Sequence, residues 1–238
     1  MQRSSKLNRA EAHPWLLAVF VTVAVGLLAR AAPDAWNATA VGLVFLGTTY
    51  WATISGKTSA HVRATGLSLA GLLETEPLDV NRWLRASAKA CLLALLASVL
   101  IFPAFWLGFV IWWHPTHPFA FSSPASWGDE LFGQALVIAL PEEAFYRGFL
   151  LTNLARADQR RVPVLGVLLG MSLVWSSALF AVGHFVTEPN LSRLAVFFPA
   201  LVFGWLRLRT GGIGASLLFH VACNAFASLL GRGYGLWS

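Results

Sequence analysis

Residues 139–151 read "ALPEEAFYRGFLL" and set Glu142, Glu143 and Arg147 inside an otherwise apolar run. Working outward, apolar residues extend on both sides far enough for a membrane-crossing helix, which takes about 20 residues. A charged side chain at mid-bilayer costs about 2.5–3.5 kcal/mol on insertion scales, so three together require partners or a purpose. Glu143 and Arg147 stand at the i, i+4 spacing that lets opposite charges pair on a helix. Glu142 is rotated about 100° from Glu143 around the helix axis. Its own neighbour one turn on, Tyr146, offers only a hydroxyl. A buried carboxylate left without a counter-charge is suited to proton transfer near neutrality.

Composition sets the class. The 238 residues are 57% hydrophobic and 12% charged and include 11 tryptophans, a balance that a soluble domain of this size could not cover with polar surface. An integral membrane protein is expected. The net charge of +6 lies between apolar runs and not along one basic and aromatic face, which argues against nucleic acid. Cys91 and Cys223, the two cysteines, sit in apolar segments and form no CxxC or Cys/His zinc spacing. Lys6 and Arg9 precede an apolar stretch from Trp15 to Leu28 that ends in "ARAA" and imitates a cleavable leader. Another apolar run follows at once, so this stretch is read as a retained first span. With no linker, low-complexity tract or repeat, residues 1–238 are read as one integral membrane domain.

The expected fold class is all-α: a multi-spanning bundle with about seven spans, near 14–31, 36–54, 90–113, 129–154, 163–186, 193–208 and 212–231. Between the second and third, "GLSLAGLL" (66–73) is too short to cross. "LDVNRWLRASAK" (78–89) has helical periodicity with three basic residues and a tryptophan, and reads as an interfacial helix with Asp79 as N-cap. Charge fixes the orientation. Of the 17 basic residues, only Arg30, Arg193 and Arg232 fall in outer segments when the amino terminus is inside, with Arg147 within a span. The remainder, including Arg3, Lys6, Arg9, Lys57, Arg63, Arg82, Arg85, Lys89, Arg156, Arg160, Arg161, Arg207 and Arg209, fall inside, as the positive-inside rule requires. The loop 114–130 lacks lysine and arginine and suits the outer face; its His114 and His117 read as loop residues, not metal ligands.

Two further spans carry polar groups. "FAVGHF" places His184 after Phe180 and Gly183, and "FHVACNAF" places His220 and Asn224 one turn apart on one helix face. A lone histidine in an apolar run is commonly a packing residue. Two histidines, an asparagine and an excess glutamate on three spans call for a joint explanation. Small residues, Gly183, Ala222 and Ala225, allow close helix approach. Straight helices of the lengths given would leave His184 near the outer end of the fifth span and His220 nearer the inner end of the seventh, so convergence requires tilted or offset helices.

Three ordered motifs now stand out: EExxxR at Glu142–Glu143–Arg147, FxxxH at Phe180–His184 and HxxxN at His220–Asn224. With the proline-led "PEEAFYRGFL" and the "RTGGIGASLLFH" before the last motif, they resemble the CAAX-processing and bacteriocin-processing membrane endopeptidases, the CPBP or Abi family. The resemblance covers about 129–231; the first 128 residues match only as generic spans.

The resemblance implies peptide-bond hydrolysis by an activated water with no covalent intermediate, and the residues permit it. Glu142 is then the general base and His184 positions the water. His220 and Asn224 donate to the oxyanion, and Glu143 and Arg147 hold the helix and the Glu142 rotamer. No cofactor is expected. Zinc is the minor alternative, disfavoured by the lack of HExxH and by the charge of Arg147. The expected partners are the lipid bilayer and a membrane-associated protein or peptide, cut at a carboxyl-terminal sorting or CAAX-type tail. The expected place is a bacterial inner membrane, with a myxosortase-like branch favoured. Two other readings are a non-catalytic immunity or scaffold protein of the same fold and a proton-coupled transporter, the latter unsupported by any inverted repeat.

Overall fold

A computed structural model describes residues 13–67 and 79–237. The chain is an all-α helical bundle, 78% helical, with one small hairpin among the described residues. Arg3, Lys6, Arg9 and residues 68–73 of the short apolar stretch lie outside those residues.

Helix α1 (Pro14–Ala31) turns Ala18, Val21, Thr22, Val25 and Gly26 to the core. Its other faces expose Leu16, Phe20, Val23 and Leu27, as a helix surrounded by lipid can. Helix α2 (Asp34–Thr49) runs into a wider π-helical turn, Tyr50–Ile54, and a short α3 (Ser59–Ala64) follows.

Helix α4 (Val80–Trp113) has 34 residues, which at ~1.5 Å each is far longer than a ~30 Å hydrocarbon core. It buries Ala90, Ala94 and Ala97 and exposes Leu92, Leu95, Leu96, Val99 and Leu100. Small residues inside and large ones outside are the packing signature of helices in lipid. The separate interfacial helix at 78–89 is corrected here: residues from Val80 onward are the first turns of α4 itself. No glycine or proline interrupts the chain between Val80 and Pro103, so nothing stops the helix. Asp79 does cap it, accepting from the Arg82 amide at 3.1 Å.

Helix α5 spans 127–157 and is irregular. It starts as Trp127–Phe132, widens into a π-helical stretch at Gly133–Ala139, returns to α-helix at Leu140–Glu143, widens again at Ala144–Leu151 and closes as Thr152–Ala157. Pro141 has no N–H for the carbonyl of Val137 and its ring crowds that carbonyl, which explains a widened turn just before it. Gly42 of α2 fills the gap: a Cβ there would stand 2.8 Å from the Val137 oxygen.

The expected fifth span, 163–186, is also corrected. Its first residues form an antiparallel hairpin, β1 (Val162–Val164) with β2 (Val167–Leu169), turning at Leu165 and Gly166 with positive φ. Pro163 and that turn exclude a helix. Helix α6 (Met171–Thr187) starts afterwards, its first turn held by the Asp158 carboxylate, which accepts from the Ser172 amide at 3.2 Å. A 3-10 turn (Leu191–Val196) leads into α7 (Phe197–Thr210), and α8 (Gly214–Gly233) completes the bundle.

Hydrogen bonds between chain-distant segments define two ends of the bundle. At one, Arg30 Nε donates to the Thr187 carbonyl at 3.3 Å, Arg232 pairs with Glu130 at 3.0 Å, and Trp106 Nε1 donates to Tyr234 at 2.8 Å. At the other, Thr152 donates to the Thr65 carbonyl, Arg207 donates to Thr152, and the Ile213 amide donates to Gly66. The helices therefore alternate up and down. Among the described residues four segments, Pro14–Ala31, Val80–Trp113, Leu191–Thr210 and Gly214–Gly233, are long and apolar enough to cross a membrane, and Met171–Thr187 is a shorter apolar helix. The chain is a multi-pass membrane protein.

Candidate active site

Glu143 is fully buried, and its Oε1 receives two partners: Arg147 Nη1 at 3.0 Å and His220 Nδ1 at 3.0 Å. The i, i+4 ion pair expected from the sequence is present. The bond to His220 is new, and nothing in the motif spacing announces it. Arg147 is buried too, with its guanidinium 4.4 Å from the Phe180 ring and 4.9 Å from the Phe203 ring, and a weak bond to the Ala200 carbonyl at 3.4 Å. Burying a charge pair is costly, so these ring faces matter: desolvated cation–π contacts are worth about 2 kcal/mol.

His220 is fixed on two sides. Its ring stacks on Phe203 at 4.6 Å between centroids, and its Nδ1 is tied to Glu143. An ionised carboxylate only accepts, so Nδ1 carries the hydrogen, which leaves Nε2 for the reacting side. That Nε2 stands 3.6 Å from Glu142 Oε2. The oxygen is buried with no hydrogen-bond donor among the described residues, while the Glu142 side chain as a whole keeps 13% exposure. Tyr146, the neighbour one turn from Glu142, bonds instead to Thr22 across to α1 at 3.0 Å.

His184 donates from Nδ1 to the Phe180 carbonyl at 3.1 Å, so its Nε2 holds the lone pair in the neutral ring. With Glu142 it lines a cavity of about 290 Å³ between α1, α2, α5 and α6. The helix offset that the sequence demanded is present. Phe180 lies 5.8 Å from His220 ring to ring, and His184 is one turn farther along α6, so the histidines are staggered; Glu142 stands 3.6 Å from His220 and lines the same cavity as His184. Gly183 makes this approach possible, because a Cβ there would sit 3.0 Å from the Tyr146 hydroxyl.

Asn224 is one turn beyond His220 and donates from Nδ2 to Gln134 Oε1 at 2.9 Å. Sequence reasoning passed over Gln134, although it is the one polar side chain in "GQALVIALP" and falls two turns before Glu142 on α5. Thr22 was equally invisible, a threonine in an apolar first span. Among the described residues no group of three or more His, Cys, Asp or Glu is arranged to hold a metal ion.

Carboxylates and imidazoles are thus gathered in the core of a membrane bundle, beside a cavity. Residues 124–226 match the family described as "Type II CAAX prenyl endopeptidase Rce1-like", so that segment is similar to a family of membrane proteases. The matched segment contains all three motifs, from Glu142 to Asn224. No curated protein and no solved structure matches the chain.

Proposed function

We propose that the chain is a glutamate-dependent intramembrane endopeptidase that hydrolyses a peptide bond in a membrane-associated protein or peptide. The observation that carries the reading is the position of Glu142. It is a carboxylate with an unbonded oxygen at the cavity wall, 3.6 Å from an imidazole nitrogen whose ring is oriented by a second carboxylate.

Glu142 takes a proton from a water that His184 orients through Nε2, and the water oxygen bonds to the peptide carbonyl carbon. His220, held at Nδ1 by Glu143, faces the oxyanion with Nε2 and donates to it in the ring form that carries a hydrogen on both nitrogens. Asn224 has two amide hydrogens; one goes to Gln134 and the other is available to the same oxyanion. The C–N bond then breaks, and the proton held by Glu142 passes to the leaving amine. The products are a carboxylic acid and a free amine, with no acyl-enzyme. No metal takes part in this scheme.

The substrate is a carboxyl-terminal sorting or CAAX-type tail, and the enzyme lies in a bacterial inner membrane with its amino terminus inside. Support for that orientation is the gathering of Lys57, Arg82, Arg156, Arg160, Arg161 and Arg209 at one end of the bundle. The test compares membrane-protein termini in cells producing the wild type or Glu142→Gln. New amino and carboxyl termini should appear only with the wild type, and identical termini in both would overturn the proposal.

A further inference from the structure

The cavity beside Glu142 runs toward one end of the bundle only. At its deep side it is lined by Thr22, Phe45 and Tyr146, each near the middle of its helix. From there the lining continues to Ala29 in the last turn of α1, Asn37 in the first turn of α2, Thr187 at the end of α6 and Arg193 on the following 3-10 turn. These positions share the end of the bundle at which Arg30 bonds to the Thr187 carbonyl. No lining residue comes from the opposite end, which holds the hairpin and the α7–α8 turn.

The two ends differ in charge. At the cavity's end Arg193 pairs with Glu188 at 2.9 Å and Arg232 with Glu130 at 3.0 Å, and among the described residues Arg30 is the one further arginine, set against Asp34 and Asp129. The other end carries the cluster of lysines and arginines. Cytoplasmic segments are the ones enriched in Lys and Arg.

We infer that the catalytic cavity is a half-channel open to the outer, non-cytoplasmic face, and that its substrate is a short extended peptide segment presented on that side of the membrane. The inference rests on the endopeptidase reading for its substrate, and on the lining of the cavity together with the charge difference between the two ends for its direction. A volume of about 290 Å³ is at the small end of ligand-sized pockets, roughly 300–1,000 Å³, and suits a few residues of extended chain, not a folded one. Val25, Val41, Phe45, Val137 and Ile138 make most of the wall apolar, so apolar side chains beside the cleaved bond fit it.

The experiment uses the full chain in cells, with Cys91→Ser introduced because Cys91 is exposed, and Cys223 kept because it is buried. Asn37→Cys marks the mouth, and Ser55→Cys marks the opposite end. A membrane-impermeant maleimide applied to intact spheroplasts should modify Asn37→Cys, and Ser55→Cys only after the membrane is permeabilised. Once a cleaved protein is known, modification at position 37 should block its cleavage. The reverse labelling pattern overturns the inferred opening, whether or not the protein cleaves anything. Full modification with unchanged cleavage overturns the cavity as the entry route. A protein labelled from outside that produces no new termini contradicts the endopeptidase reading and leaves the direction of the cavity standing.

Discussion

Glu143 Oε1 and His220 Nδ1 are 3.0 Å apart, so the second glutamate of the pair orients the histidine that faces the first. Adjacent residues on one helix thus divide two tasks: Glu143 points into the packed core, and Glu142 points to the cavity. The 100° step between consecutive helical residues is what separates them.

Removing Arg147 strands Glu143 as a buried charge. Arg147→Ala should destabilise the protein by about 3–5 kcal/mol, the usual cost of breaking a buried pair from one side. The Glu143→Ala, Arg147→Ala double variant should regain part of that stability but none of the activity, because His220 loses its anchor. Thermal denaturation in detergent beside an activity assay checks both. Recovery of activity in the double variant would show that Glu143 does not orient His220.

His184 supplies a lone pair at Nε2 and reaches the cavity that Glu142 lines. His184→Ala should lower the catalytic rate by about 100-fold or more, the lower range for loss of a positioned acid or base. A rate within a few-fold of wild type would reduce His184 to a packing residue against Phe180.

Gln134 holds Asn224 at 2.9 Å, so the two should fail together. Asn224→Ala should cost roughly 100-fold in kcat with KM little changed, as losing one oxyanion donor does. Gln134→Ala should show a smaller loss of the same kind. A KM effect with kcat intact would place both in substrate binding.

Two glycines of α2 give a matched pair. At Gly42 a Cβ would meet the Val137 carbonyl oxygen at 2.8 Å, a backbone atom that cannot step aside, so Gly42→Ala should cost about 1–3 kcal/mol. Gly47 has nothing within 4 Å of such a Cβ, and Gly47→Ala should be neutral or stabilising by up to about 1 kcal/mol. Equal effects at both positions would mean that α2 does not pack on the Pro141 kink as described.

Much of this was legible in the chain itself. Apolar runs interrupted by loops gave the helices, and the i, i+4 spacing gave the Glu143–Arg147 pair, because both signals are local. Asp79 was readable as a cap for the same reason. The hairpin at 162–169 was missed because "VPVLGVLL" has the hydropathy of a span, and only Pro163 and the Leu165–Gly166 turn betray it. The continuity of α4 was missed because charge and tryptophan content mark an interfacial stretch without marking where a helix ends. The bonds of His220 to Glu143, Asn224 to Gln134 and Tyr146 to Thr22 join residues far apart in the chain, and spacing within one helix carries no information about them.

The most direct test of the account is the turnover of Glu142→Gln on a cleaved protein or peptide, measured in lipid with a strong chelator present in parallel samples. Glutamine keeps the size and the inward packing but cannot take a proton. Glu142→Gln should be folded and membrane-inserted with a rate lower by about 100-fold or more, and the chelator should leave the wild-type rate unchanged. Wild-type turnover by Glu142→Gln, or loss of wild-type activity to the chelator that added zinc restores, would contradict the account.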